Sequence, residues 1–204
     1  MQSAEDLLPA RGGLPKLREA AAGCKACDLW MSGTQTVFGE GRSTAEVMFV
    51  GEQPGDREDR AGRPFVGPAG RLLDQAMEEA GIDRQKAYVT NVVKHFKWRA
   101  KGKRRIHQKP NWSEIAACRP WLDSELGTVK PRVLVRLGAT AAQALIGRDF
   151  RITRQRGRPV ESELAPVVLA TIHPSAILRA DDEDREQEMQ ALVDDLRVVA
   201  KLLG

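Results

Sequence analysis

Apolar and polar positions alternate along this chain in two rhythms. Short apolar runs end on glycine, asparagine or histidine, and longer stretches between them place apolar residues three and four apart. Glu46-Val47-Met48-Phe49-Val50 is the first run and reads as a buried strand closing on a glycine turn. Leu72, Leu73, Ala76, Met77 and Ala80 follow at helical spacing, with Gly81 as a stop. A second strand is predicted over residues 87–93. A helix follows over residues 114–126, interrupted at Pro120 because proline lacks an N–H and crowds the preceding turn. Val133-Leu134-Val135-Arg136-Leu137 is a third strand, and Gly138 turns it into a helix over residues 139–146 closed by Gly147. Residues 167–172 form a fourth strand, and Leu192, Leu196, Val199 and Leu203 mark one face of a last helix. Strand and helix in this alternation predict an α/β fold: a three-layer α/β/α sandwich around a central, mostly parallel four-stranded sheet. In such sheets ligands bind beyond the carboxyl ends of the strands. The polar motifs Gly51-Glu52-Gln53, Asn91 and His173 each follow a strand.

The 204 residues suffice for one domain with a sizeable core, taken here as residues 16–204 behind a loosely ordered, Gly- and Pro-punctuated segment 1–15. Net charge is only +4, so the local distribution of charge says more than the total. No apolar run approaches the roughly 20 residues that span a bilayer, and the N-terminus shows no signal-peptide pattern. The expectation is a cytoplasmic monomer with no membrane association. In a reducing compartment, three cysteines suggest ligation of a metal or cluster before a disulfide.

Cys24-Lys25-Ala26-Cys27 spaces two thiolates to grip one centre, Cys118 supplies a third, and His95 is the most economical fourth ligand. Spacing leaves an iron–sulfur cluster, a Cys3His zinc site and unligated cysteines all open. Glu52 sits in Gly51-Glu52-Gln53-Pro54-Gly55; it is either an exposed acid in a tight turn or a carboxylate aimed at positive charge or a histidine. Phe65, between proline and glycine residues, is a core plug or a platform for a base. Residues 94–109 hold Lys94, Lys97, Arg99, Lys101, Lys103, Arg104, Arg105 and Lys109 without an acid, interleaved with Phe96 and Trp98. Such a run is a solvated face or a phosphate-binding surface. His107 lies inside it: it is either an ordinary surface histidine or a ring that neighbouring cations keep neutral and hence nucleophilic. His173, in His173-Pro174-Ser175, is a loop cap or a hydrogen-bond donor to an oxygen gaining charge, with Arg179 shortly after.

In this order the motifs resemble the uracil-DNA glycosylase superfamily, its iron–sulfur family 4, and most closely the UdgX branch. The resemblance runs from Cys24 to the last helix. It comprises the CxxC pair, Gly51-Glu52-Gln53-Pro54-Gly55, Arg63-Pro64-Phe65-Val66-Gly67, Thr90-Asn91-Val92-Val93-Lys94, Cys118-Arg119-Pro120-Trp121 and His173-Pro174-Ser175. Family 4 usually has alanine after the motif acid and cysteine after the second strand's lysine. Gln53 and His95 stand there instead, and with the basic loop Lys103-Arg104-Arg105-Ile106-His107 they are what marks the UdgX branch. A further departure is Ser175-Ala176-Ile177-Leu178-Arg179, where Ser-Leu-Leu-Arg is more usual.

The resemblance implies a [4Fe–4S] cluster on Cys24, Cys27, His95 and Cys118, with zinc as the alternative. It implies Phe65 stacked on a flipped uracil, Asn91 reading its edge, Gln53 beside the substrate, and His173 stabilising charge on O2. Glu52 would orient His107, and Lys94, Arg104, Arg105 and Arg179 would touch DNA. The expected activity is excision of uracil from single- or double-stranded DNA, followed by attachment of His107 to C1′ of the abasic sugar in a single turnover. Conventional hydrolytic turnover and a non-catalytic DNA-binding module are the alternatives.

Overall fold

The computed structural model describes residues 3–147 and 149–204; Met1 and Gln2 of the opening segment lie outside the described residues. The remainder of that opening holds a 3-10 turn at Ala4–Leu7, whose Ala4 is buried against the core. Two helices follow, α1 (Leu14–Ala22) and α2 (Leu29–Ser32), before β1 (Val47–Gly51). Then come α3 (Asp56–Ala61), α4 (Pro68–Ala80), β2 (Ala87–Asn91) and a hairpin of β3 (Trp98–Lys101) and β4 (Arg104–His107). The second half runs α5 (Trp112–Val129), β5 (Val133–Leu137), α6 (Gly138–Ile146), α7 (Ile152–Gln155), β6 (Val160–Ser162), β7 (Ala165–Thr171), α8 (Pro174–Ile177) and α9 (Asp182–Leu203).

Among the described residues the central sheet has five strands rather than four, in the order β2-β1-β5-β7-β6. The four expected strands are mutually parallel, and β6 is an antiparallel edge paired with β7. Strand alternation divides the apolar residues between two layers. Met48, Val50, Tyr88, Leu134 and Val168 pack with α1, α5 and α6. Val47, Phe49, Val89, Val135 and Leu169 face α4 and α9 on the other side. Among the described residues no helix is long and apolar enough to cross a membrane.

Three local features follow from sequence. Gly81 adopts a left-handed conformation (φ 79°) and ends α4 where the apolar periodicity stops. Asn111 and Glu114 form a reciprocal capping box at the start of α5. Pro120 does not interrupt α5, which runs on to Val129. Buried Ile115, Ala117, Cys118, Trp121 and Leu122 on either side of the proline bind the helix to the core, so tertiary packing outweighs one missing backbone bond.

β1 has β2 on one side and β5 on the other, so the connections leave it in opposite directions and open a crevice above its end. Gly51 pairs with Asn91, and Leu137 with Thr171, bringing the strand termini level with one another. Among the described residues the hairpin pairs only with itself, Trp98 opposite His107.

Candidate active site

A cavity of about 680 Å³ opens at that crevice, lined among others by Glu52, Gln53, Phe65, Asn91, His107, His173 and Arg179. Its size suits a small ligand. Its floor is the point beside Gly51 where Asn91, Phe65 and His173 meet. A Cβ on Gly51 would collide with Asn91 Oδ1, lie 2.9 Å from Phe65 Cζ and 3.4 Å from His173 Nε2, so three side chains from separate segments converge on one point. Asn91 Oδ1 is buried and has no hydrogen-bond partner among the described residues. A buried acceptor left open is costly unless a ligand fills it.

His173 is oriented by its own loop. Its Nδ1 accepts the Ser175 N–H at 3.1 Å and lies 2.8 Å from Ser175 Oγ, which in turn accepts Arg179 Nη1 at 3.0 Å. Accepting a backbone N–H requires a lone pair on Nδ1, so a neutral ring carries its proton on Nε2, the nitrogen turned to the floor. Burial pushes the His173 pKa down to about 4; Arg179 and His107 add to the fall and Glu52 opposes it. The ring is therefore a neutral donor near neutral pH. Phe65 stands beside it, ring centroids 6.2 Å apart and planes 30° apart, with a left-handed backbone (φ 55°) rare for an aromatic residue.

Glu52 Oε1 lies 3.2 Å from His107 Nε2. Burial would raise the Glu52 pKa, but hydrogen bonds from His107 and Thr140 and the nearby histidines outweigh it, and the carboxyl ends below its ordinary value. His107, half exposed, ends β4, and side chains hold the hairpin over the cavity. Gln53 is buried; its Nε2 donates to Lys97 O (3.2 Å) and Gln108 O (3.1 Å), and its Oε1 accepts Lys97 N–H (3.1 Å). Arg105 donates to Asp56, to buried Asp59 at 2.6 Å and to Thr34 at 3.1 Å, and its guanidinium lies 5.4 Å from both the Phe96 and Trp98 ring centroids.

Three expected roles change. Lys94 is not at a DNA surface: it is fully buried, with Nζ 2.5 Å from Glu125 Oε2 and 2.7 Å from both Thr90 Oγ1 and Asn91 O. Arg105 is committed to two aspartates and clamps the hairpin to α3. Gln53 has both amide hydrogens and one lone pair of Oε1 engaged by hairpin backbone, so it holds the loop and has no free donor for a substrate. Arg104 is exposed at the hairpin, and Arg179 is exposed at the cavity wall. Sequence reasoning missed Glu58 and Thr140, which also line the cavity; neither lies in a recognised motif.

Cys24, Cys27 and Cys118 are all buried and free. Trp121 Nε1 donates to Cys24 Sγ at 3.3 Å, and the Lys94 N–H to Cys118 Sγ at 3.2 Å. Burial pushes the Cys118 thiol up to about 12, opposed by Lys94 and reinforced by the other two cysteines, and burial also raises Cys27. Thiolates there would call for a cationic centre, and fixed N–H donors at two sulfurs would suit one, so the chemistry of the donor set fits a cluster. His95 is buried nearby in sequence, but its Nε2 meets Thr36 Oγ1 at 3.0 Å, so a bond to a metal centre would fall to Nδ1. Among the described residues no three His, Cys, Asp or Glu side chains group closely enough to hold a metal ion.

A family model described as the uracil DNA glycosylase superfamily matches residues 38–197. The chain is 41% identical over 175 residues to a Type-4 uracil-DNA glycosylase of Sulfurisphaera tokodaii, covering 81% of this chain and 76% of that one. It is 39% identical over 171 residues to one of Thermotoga maritima, covering 83% of each. Over 173 residues it is 39% identical to one of Pyrobaculum aerophilum, covering 81% and 85%.

Proposed function

The chain belongs to the uracil DNA glycosylase superfamily, and on that premise we propose that it excises uracil from DNA and then captures the abasic sugar on His107. The observation that carries the capture is the 3.2 Å contact between Glu52 and His107 at the same cavity as Asn91 and His173.

A base in a duplex is out of reach, so the nucleotide is flipped into the cavity or supplied in single-stranded DNA. Phe65 gives the base a stacking face. The open Asn91 Oδ1 suits the uracil N3–H, and its amide N–H the neighbouring O4. His173 Nε2–H suits O2. As the C1′–N1 bond breaks, its electron pair goes to the base, and these donors meet the charge; one such donor contributes about 3–4 kcal/mol to lowering the barrier. The sugar is left cationic at C1′. A lone pair of His107 forms the new bond to C1′; the resulting imidazolium pairs with the Glu52 carboxylate, and its proton leaves to solvent. The adduct has no good leaving group, so the protein stays attached after one turnover. Exposed Arg104 and Arg179 are the candidates for phosphate contacts.

Cys24, Cys27 and Cys118, with His95, would hold a [4Fe–4S] cluster in preference to zinc. When bound it supplies a rigid cross-link between the N-terminal segment and α5, remote from the bond-breaking chemistry.

The test mixes the protein with a uracil-containing oligonucleotide, heats it in denaturant and separates the products on a gel. A shifted band that needs uracil and disappears in His107→Ser supports capture. Free uracil in excess over enzyme, with an alkali-cleavable site and no shifted band, supports conventional turnover instead. Salt-sensitive binding without uracil preference or excision would leave only a DNA-binding module.

A further inference from the structure

Phe65 does not hold its left-handed backbone unaided. Gly70, one turn into α4, passes so close that a Cβ there would overlap the Phe65 carbonyl. On the other side stands Glu58, a buried residue of α3 at the cavity wall. Its Oε1 accepts the Gly67 N–H at 2.6 Å. Gly67 begins α4 without a capping side chain, and Pro68 after it has no N–H to offer. Glycine at both 55 and 67 makes room for the carboxyl: a Cβ at either would come within 2.6 or 2.7 Å of its oxygens. The carboxyl is thus enclosed by backbone of the two loops that flank the base-binding face. A backbone in a sparsely populated region costs about 1–3 kcal/mol and persists only where its surroundings enforce it.

We propose that Glu58 is a positioning residue: through the Gly67 N–H it fixes the strained loop that presents the Phe65 ring to the base, and it acts by reach and hydrogen bonding, not by charge. This rests on the reading that Phe65 stacks on uracil. The competing role for a second carboxylate in such a cavity is electrostatic stabilisation of the sugar cation, and the two roles separate cleanly. Glu58→Gln keeps an acceptor at the same reach and removes the charge. Glu58→Asp keeps the charge and withdraws it from Gly67.

The experiment is single-turnover reaction of the purified holoprotein with a uracil-containing oligonucleotide, reading the maximal rate and the half-saturating DNA concentration separately. Glu58→Asp should raise the half-saturating concentration about tenfold or more, and Glu58→Gln should stay within about threefold of the parent in both parameters. In a Phe65→Leu background, where the aromatic face is gone, Glu58→Asp should add less than about twofold. A lost maximal rate in Glu58→Gln at unchanged half-saturation overturns the proposal, and does so even if Glu58→Asp fails to fold. An undiminished effect of Glu58→Asp without the Phe65 ring overturns it too. A parent protein inert on uracil-DNA would instead sink the underlying reading, whereas an active parent with indistinguishable Gln and Asp variants sinks Glu58 alone.

Discussion

Lys94→Met isolates what a basic residue beside the basic hairpin contributes when it is buried. Lys94 and Glu125 are both fully inaccessible, 2.5 Å apart. Glu125 also gathers the Gly39 N–H at 3.0 Å, the Tyr88 hydroxyl at 2.9 Å and the Thr90 hydroxyl at 3.0 Å. Removing the ammonium leaves a buried carboxylate with only neutral donors and frees the Asn91 carbonyl it also held. Breaking such a pair from one side costs about 3–5 kcal/mol. In a domain of this size that lowers the melting temperature by about 6–20 °C. Lys94→Met with Glu125→Gln should recover much of the loss, because the amide oxygen still serves the neutral donors and no lone charge remains. Urea unfolding measures the stability. In parallel, the salt dependence of binding to uracil-free DNA reads phosphate contacts, where each one lost flattens the slope by about 0.7–0.9. Lys94→Met should leave that slope unchanged, and Arg104→Gln should flatten it. A Lys94→Met protein of normal stability with one phosphate contact missing would refute the reasoning.

Gln53→Ala removes three hydrogen bonds that tie the hairpin to the β1 loop, each contributing about 0.5–1.5 kcal/mol. Attachment to DNA should slow more than tenfold while uracil release changes only a few-fold; equal loss of both, on gels scored for adduct and for alkali-labile sites, would count against it. Arg105→Gln leaves buried Asp59 with only the neutral donors of Thr34 and should destabilise the fold by about 3–5 kcal/mol. Limited proteolysis should then cut first within the exposed residues 101–104, and unaltered protection would show that the clamp is dispensable. His173, its pKa pushed from 6.5 to about 4 by burial, stays neutral in the folded chain where the unfolded chain takes a proton. Stability should therefore be complete above pH 6.5 and fall as pH drops towards 4, by at most about 3 kcal/mol for this half-buried ring. His173→Gln should lack that component of the pH profile of urea midpoints; a superimposable profile would disprove the assignment.

The parallel strands were legible because their apolar runs are long enough to be buried on both faces and end in motifs. β6 was not, because Val160–Ser162 is short and exposed throughout, and its pairing with β7 leaves no apolar signature. The floor residues Phe65, Asn91 and His173 could be found because each occupies a motif directly attached to an element end. Lys94 was misread because its neighbours in sequence are basic, whereas its partner Glu125 lies 31 residues away on α5. Gln53 was misread for a related reason: a polar side chain beside a site suggests a ligand, but its partners are backbone atoms 44 and 55 residues on. Long-range pairing of polar groups leaves no periodicity to read. Thr140, which hydrogen-bonds Glu52 across the cavity, went unnoticed for the same reason.

Among the described residues the hairpin that ends at His107 joins neither edge of the five-stranded sheet and is moored through side chains. The groups proposed to read the base belong to the sheet's own termini and loops, and the group proposed to seize the sugar belongs to this appendage. Recognition and outcome are thus divisible by inheritance. A lineage could acquire or discard the appendage by one insertion or deletion, provided that Gln53 and Asp59, the buried polar groups it satisfies, change with it. The same floor could serve a recycling catalyst in one descendant and a permanent marker of a damaged site in another.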